Sequence, residues 1–305
     1  MNGRALQCWQ VPALKTKPAP VVLTIPAFER LPWLVHGFST RLAGFSRAYG
    51  GKSLNLGFTH DDTRQEVERN RAAFLKAIGA KGWPLVTARQ IHSDRLLRVD
   101  AAPALPLTAD ALVTDVPGLV IAVKTADCLP VLLVDTKKRV VAAIHAGWRG
   151  MVKRIVEKTV GVMRREYGTA PRNLQAAIGP GIAACCYAVG DEVRDAFESQ
   201  FAYAPQLFHE VMAHDELKER YPLLFLTARA PGHHPLGRKL HLDLAMAAQH
   251  QLLDAGIPHK QIFATGKCTS CHNDLLFSHR KENGVTGRQV GAIGVRFPGK
   301  KDKAL

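Results

Sequence analysis

The sequence predicts an α+β fold built on mixed β-sheets, and three observations carry that prediction. Short runs rich in Val, Ile and Leu, bounded by Pro, Gly or charged residues, recur along the chain and read as buried strands. A few segments of helical periodicity with recognisable ends fall between groups of those runs instead of alternating with them one by one. An apolar fraction of 47% over 305 residues is ample for a sizeable core.

In chain order, Val21–Ile25 and Trp33–Ser39 read as strands after a Pro-punctuated leader. Thr40–Lys52 is rich in glycine and reads as a loop, with Arg41 a candidate anion contact. In Asp61–Ile78 the apolar Val67, Ala72, Phe74, Leu75 and Ile78 sit in a polar segment. With acidic residues at its start and Gly79 after its end, it reads as an amphipathic helix. Pro84–Ile91, Leu119–Val123, Leu129–Val134 and Val140–Ile144 are strand-like. Gly150–Tyr167 reads as a second helix, with Val152, Ile155, Val156, Thr159 and Met163 on one face and Gly168 as its stop. Leu174–Ile178 is a strand running into the Gly179-Pro180-Gly181 turn, and Asp191–Phe197 a short helix. Pro205–Pro235 carries turn signals without periodicity and reads as irregular connection. Asp243–Ala255 is a helix capped by Asp243 and ended by Gly256, and Gln261–Thr265 and Val290–Gly294 are closing strands. The chain reads as one domain over residues 1–305, with 1–20 a loosely ordered leader and 297–305 a basic tail.

The formal net charge is +15, which suits nucleic acid, anionic membranes or phosphorylated ligands as partners. The Lys and Arg residues are scattered, however, with a modest cluster at Arg296, Lys300, Lys301 and Lys303, and no basic run is interleaved with aromatics. A nucleic-acid-binding module is therefore the less favoured reading. Met1–Lys17 lacks the apolar core of a signal peptide, and nowhere do about 18 apolar residues run together, so no membrane partner is expected. Six cysteines in so long a chain do not make a disulfide scaffold. A soluble, reducing, cytoplasmic setting is the simplest expectation; the oligomeric state is not legible.

The chemistry concentrates between residues 90 and 150. Cys128 and His145 stand at strand ends, where a rigid sheet aims side chains into a common cleft, and His92 closes the run before it. Two histidines and a cysteine are a plausible three-ligand set for zinc with its fourth position open. Their spacing matches no local zinc motif, and a cysteine packed as a small hydrophobe is the competing reading. His145-Ala146-Gly147-Trp148-Arg149-Gly150 runs at once into a helical pattern, which suggests a tight turn with backbone N–H groups facing the cleft. Asp127, beside Cys128, could relay protons or orient a ligand.

The residues then carry a resemblance. Phe38-Ser39-Thr40-Arg41, Ser53-Leu54-Asn55-Leu56-Gly57, Gln90-Ile91-His92, Ala109-Asp110-Ala111, Thr125-Ala126-Asp127-Cys128 and His145–Gly150 fall in one order along the chain. Ile178-Gly179-Pro180, Cys186-Tyr187-Ala188-Val189, Phe277-Ser278 and Thr286-Gly287-Arg288 continue it. Together these blocks resemble the YfiH-type family, variously called multicopper polyphenol oxidases (laccase-like), peptidoglycan-editing factors and purine nucleoside phosphorylases. The resemblance spans most of the chain, from about Leu34 to Gly294. It implies a layered sandwich of mixed sheets flanked by helices, with His92, Cys128 and His145 as zinc ligands. Arg41, Arg149 and Arg280 lie within such blocks as candidate phosphate contacts, and Asn55 as a candidate substrate contact. His272, Leu276 and His279 depart from the family, standing where aromatics are usual.

Cys268-Thr269-Ser270-Cys271-His272 matches a c-type haem attachment pattern, but Cys268-Thr269 falls where the family commonly has Cys-Thr, so the match is accidental. As half of a zinc site the pair finds no partner pair at suitable sequence spacing. Cys185-Cys186 could be a redox pair, but neighbouring cysteines are strained as a disulfide and more often pack, with a secondary role near the cleft as the alternative; His233-His234 reads as solvated loop.

A zinc with three protein ligands is electrophilic and activates water. The resemblance implies phosphorolysis of adenosine, inosine and methylthioadenosine, with nucleoside and phosphate as partners, and deamination of adenosine. An anion pocket at Arg41 or Arg149 and the helix beginning near Gly150 would suit the phosphate. The alternatives are copper-dependent phenol oxidation at the same ligands, and an amidase editing peptidoglycan precursors with Cys128 as nucleophile and His145 as base.

Overall fold

The structure, a computed structural model, describes residues 19–212 and 238–298. Two six-stranded mixed sheets face one another. The first runs, in spatial order, Val22–Leu23, Leu34–Ser39, Gln289–Val295, Val120–Thr125, Leu85–Arg89 and Leu107–Thr108. The second runs Ile262–Ala264, Leu174–Ile178, Leu129–Asp135, Val141–Ala146, Ala111–Thr114 and Leu96–Arg98. A small antiparallel sheet of Ala188–Val189, Arg238–Leu242 and Phe208–Met212 lies apart from both.

Side chains alternate faces along a strand, and the sequence uses both faces. Ile121 and Val123 of the first sheet and Leu132 and Val134 of the second share the core between the sheets, with Phe38 and Ile293. The neighbours Val120 and Ala122 point outward and pack with Phe74 and Leu75 of the helix Arg64–Ala77. On the other side Val131, Leu133 and Ile144 meet Val156, Val160 and Met163 of the helix Ile155–Tyr167, and Ala247 and Ala248 of the helix Leu244–Asp254. The result is a helix–sheet–sheet–helix sandwich, as expected. Strands buried on both faces read as continuous apolar runs, which is why they stood out in the sequence.

The caps follow the expected chemistry. Thr63 accepts the Glu66 N–H at the start of Arg64–Ala77, and Asp243 accepts the Met246 N–H at 2.9 Å. Three expectations need correction. The strand over Val21–Ile25 is only Val22–Leu23, because Pro26 opens the short helix Pro26–Glu29. The helix over Gly150–Tyr167 is two helices, Trp148–Val152 and Ile155–Tyr167, broken at Arg154 with φ +62°. That left-handed residue is held by its own side chain, which bonds Glu157 and the Gln200 carbonyl and lies over the Phe201 ring. The connection at Pro205–Pro235 begins with a 3-10 turn over Ala204–Leu207 and then a strand, Phe208–Met212. Three short strands, Leu96–Arg98, Leu107–Thr108 and Ala111–Thr114, join the sheets without a sequence signal long enough to mark them. Residues 1–18 of the leader, residues 299–305 of the tail and the pair His233-His234 lie outside the described residues.

Candidate active site

Val120–Thr125 belongs to the first sheet and Leu129–Asp135 to the second, so the turn between them crosses from one to the other. Asp127 makes that crossing at φ +92°, a conformation that costs a non-glycine residue about 1–3 kcal/mol. Its carboxylate holds the turn: Oδ1 accepts the hydroxyls of Thr269 at 2.6 Å and Ser278 at 2.7 Å, and Oδ2 accepts the Arg280 N–H at 2.7 Å. Its own carbonyl accepts the Ile182 N–H. The strand Leu129–Asp135 then starts immediately, which fixes where Cys128 stands.

His145 lies at the end of Val141–Ala146, across from Pro130 in the antiparallel register, and is buried. His92 follows Leu85–Arg89 at φ +56°. The residue that orders both is Asp110, which is fully buried. Its carboxylate accepts the backbone N–H groups of Ile91, His92 and Ser93 and the Ser93 hydroxyl. His145 Nδ1 donates to the same group at 2.8 Å, which leaves Nε2 as the ring nitrogen available to the cluster.

The ligand atoms of His92, Cys128 and His145 all lie within 4.8 Å of one another. Gly147 completes the cradle, since a Cβ there would sit 2.9 Å from Cys128 Sγ and 3.2 Å from the His92 ring. Burial by itself would raise the Cys128 thiol, but the charge and hydrogen bonds of His145 and His92 bring it down to about 6. Burial would lower His145, and Cys128 and Asp110 push it up to about 9. Asp110, also penalised by burial, is held well below the usual carboxylate range by His145 and Ser93. The site thus favours a thiolate, and one thiolate with two imidazoles fits a zinc ion that keeps one position open. The same donors also suit copper.

His92, Cys128 and His145 line a cleft of about 710 Å³, within the size range of small-molecule sites. Arg149 and Arg280, the candidate phosphate contacts, line it. The Arg149 guanidinium lies over the Trp148 ring at 4.4 Å, and among the described residues no carboxylate pairs with it. The helix here begins at Trp148, two residues earlier than expected, so Gly150 stands in its first turn, where backbone N–H groups have no intrahelical partner.

Arg41 and Asn55 are not among the cleft residues. Arg41 donates to the Asn273 and Tyr49 carbonyls, pairs with Glu282 at 3.1 Å and lies over Phe277. Asn55 is fully buried and ties Gly57, Asp62 and the Arg288 N–H together. Both hold loops in place.

Two contributors went unread in the sequence. Asp110 lay in plain view in Ala109-Asp110-Ala111, and a carboxylate flanked by buried alanines was the available signal. Lys124, in the otherwise apolar strand Val120–Thr125, lines the cleft beside Arg288. Burial pushes Lys124 down, and the neighbouring charges of Arg71 and Arg288 push it further.

Residues 35–296 match the family model described as multi-copper polyphenol oxidoreductase laccase. The chain is 33% identical over 289 residues to purine nucleoside phosphorylase YlmD of Geobacillus stearothermophilus, covering 88% of this chain and 96% of the relative. It is 35% identical over 255 residues to adenosine deaminase RL5 of an unknown prokaryotic organism, covering 81% and 87%. The crystal structure of Bacillus licheniformis hypothetical protein YfiH superposes with a TM-score of 0.77 at 32% identity, covering 91% of this chain and 97% of that one. With a matched span that runs from the second strand to the last, and a sandwich shared with a solved YfiH protein, the chain belongs to the YfiH-type family of laccase-like polyphenol oxidoreductases.

Proposed function

We propose that the chain is a zinc-dependent purine nucleoside phosphorylase, acting on adenosine, inosine and methylthioadenosine with phosphate, and that the same cleft deaminates adenosine. The observation that carries this reading is the adjacency, within one cleft, of the His92–Cys128–His145 donors and the cations Lys124, Arg149, Arg280 and Arg288. The names of the relatives supply the purine nucleoside, which the geometry alone would not select.

His92, Cys128 and His145 would hold the zinc ion, which would supply a Lewis acid in the cleft. Asp110 fixes the tautomer and orientation of His145, and Gly147 leaves room for the sulfur. Phosphorolysis breaks the bond from ribose carbon to purine nitrogen and forms a carbon–oxygen bond to phosphate. The base leaves with the electron pair and takes up a proton. Arg149 holds the phosphate through charge-assisted hydrogen bonds, with Arg280 on the same wall. Lys124 and Arg288 add positive potential that favours an anion in the cleft. The Asp127 carboxylate already accepts three hydrogen bonds, so its role is to fix the turn before Cys128 and the backbone of Arg280. Deamination exchanges the ring's exocyclic amine for an oxygen from water and brings no anion.

A second reading rests on the alignment Cys128–His145–Asp110, which is that of a thiolate nucleophile, a base and its orienting carboxylate. It favours the amidase alternative, and Cys128→Ser with a trapped ester seen by mass spectrometry would support it. Copper-dependent phenol oxidation ranks lower, because three donors hold one ion while multicopper oxidation needs more histidines. Chelator-stripped protein tests the reading. Inosine cleavage should vanish and return with added zinc, while phenol oxidation should need added copper; cleavage that persists without metal contradicts the proposal.

A further inference from the structure

Four cysteines from two distant loops meet at a second place in the fold. Cys185 and Cys186 follow the Gly179-Pro180-Gly181 turn, and Cys268 and Cys271 belong to the segment first read against haem attachment. Backbone contacts lay the loops side by side: Thr269 N donates to the Gly181 carbonyl at 3.0 Å, and Gly181 and Cys268 form a parallel bridge. The partner pair that Cys268-x-x-Cys271 lacks in sequence is thus supplied by the fold.

All four sulfurs lie within 4.8 Å of one another, with Cys271 Sγ 3.5 Å from both Cys185 Sγ and Cys186 Sγ. Every one of the four is a free thiol, and none of these separations is the roughly 2.0 Å of a disulfide. Tetrahedral zinc–thiolate bonds of about 2.3 Å set neighbouring sulfurs roughly 3.8 Å apart. Packing does not explain the convergence, because Cys185 and Cys271 are exposed and only Cys268 is buried. The Cys268 sulfur accepts the Ala183 N–H at 3.4 Å, the kind of hydrogen bond that orients and stabilises a coordinated thiolate.

We infer that Cys185, Cys186, Cys268 and Cys271 form a four-thiolate structural zinc site, separate from the His92–Cys128–His145 centre. With all four positions taken by sulfur the site is closed, so it braces the protein and takes no substrate. Each ligating thiol gives its proton to solvent as the ion enters, and nothing is oxidised or reduced. The braced loops are those that fix the Cys128 turn: Thr269 donates to the Asp127 carboxylate and Ile182 to the Asp127 carbonyl. The second ion therefore stiffens the wall of the cleft without entering it.

Elemental analysis of the full chain, purified under reducing conditions without chelator, tests this. Wild type should carry about two zinc ions per chain, and about one should remain both in Cys185→Ser/Cys271→Ser and in Cys128→Ala/His145→Ala. If the first variant fails to fold, the second decides: one retained zinc, exchangeable for cobalt with a strong thiolate-to-cobalt charge-transfer band, supports the site. No metal in that variant, full zinc retention in Cys185→Ser/Cys271→Ser, or a disulfide among the four in the fresh protein each overturns it.

Discussion

His145 donates its Nδ1 hydrogen to Asp110 at 2.8 Å, and both side chains are buried. The same carboxylate accepts the N–H of His92, so one buried charge orders two of the three residues of the cluster, which stand in different sheets and loops. Asp110→Asn turns an acceptor into an amide that must face several N–H groups. Metal affinity should fall about 10- to 100-fold, the usual cost of losing such a partner. Competition against a chromogenic chelator reads this, and unchanged affinity would remove Asp110 from the metal's support.

Gly147→Ala should separate the metal from the fold. Gly147 has φ −84°, which any residue adopts, so the chain should stay folded. The new methyl would crowd Cys128 Sγ and the His92 ring. Zinc affinity and nucleoside turnover should drop together while the unfolding temperature of the metal-free protein stays within a few degrees.

Two of the three arginines flagged in the sequence, Arg149 and Arg41, should behave differently. Arg149→Ala should raise the KM for phosphate about ten- to hundredfold, the cost of one charge-assisted hydrogen bond, with adenosine deamination less affected. Arg149→Lys should rescue only partly, because a point charge cannot replace a fork. Arg41→Ala should instead destabilise the fold, by about 2–4 kcal/mol, since it strips partners from Glu282 and two carbonyls. Equal loss of both reactions in a stable Arg149→Ala would move the phosphate to Arg280 or Lys124.

His36 gives a pH dependence far from the metal. Burial lowers its pKa to about 4, opposed by Glu29, and its Nε2 accepts the Ile25 N–H. The unfolded chain binds a proton near 6.5 and the folded one only near 4. Stability is therefore fully present above about 6.5 and is lost as pH falls toward 4, by about 3 kcal/mol. His36→Gln keeps an acceptor without a titrating base, so urea unfolding between pH 6.5 and 4 should show a shallower loss than wild type.

The sandwich was legible because its central strands are buried on both faces and announce themselves as apolar runs. His92, Cys128 and His145 were legible as residue types at strand ends, and the resemblance joined them; the structure brings their side chains together. Asp110 was present in a quoted block, but its role depends on a three-dimensional convergence of backbone N–H groups. The break at Arg154 was hidden because a side-chain bond to Glu157, not a glycine, holds the left-handed residue. The meeting of Cys185-Cys186 with Cys268 and Cys271 was invisible for a similar reason: their loops pair through backbone across more than eighty intervening residues.

On the proposed reading the cleft delivers phosphate to a nucleoside. Purified, zinc-replete protein incubated with inosine and phosphate should consume one phosphate for each hypoxanthine released, with ribose 1-phosphate as the other product. Release of hypoxanthine with free ribose and no phosphate consumed, or no release at all, would contradict it.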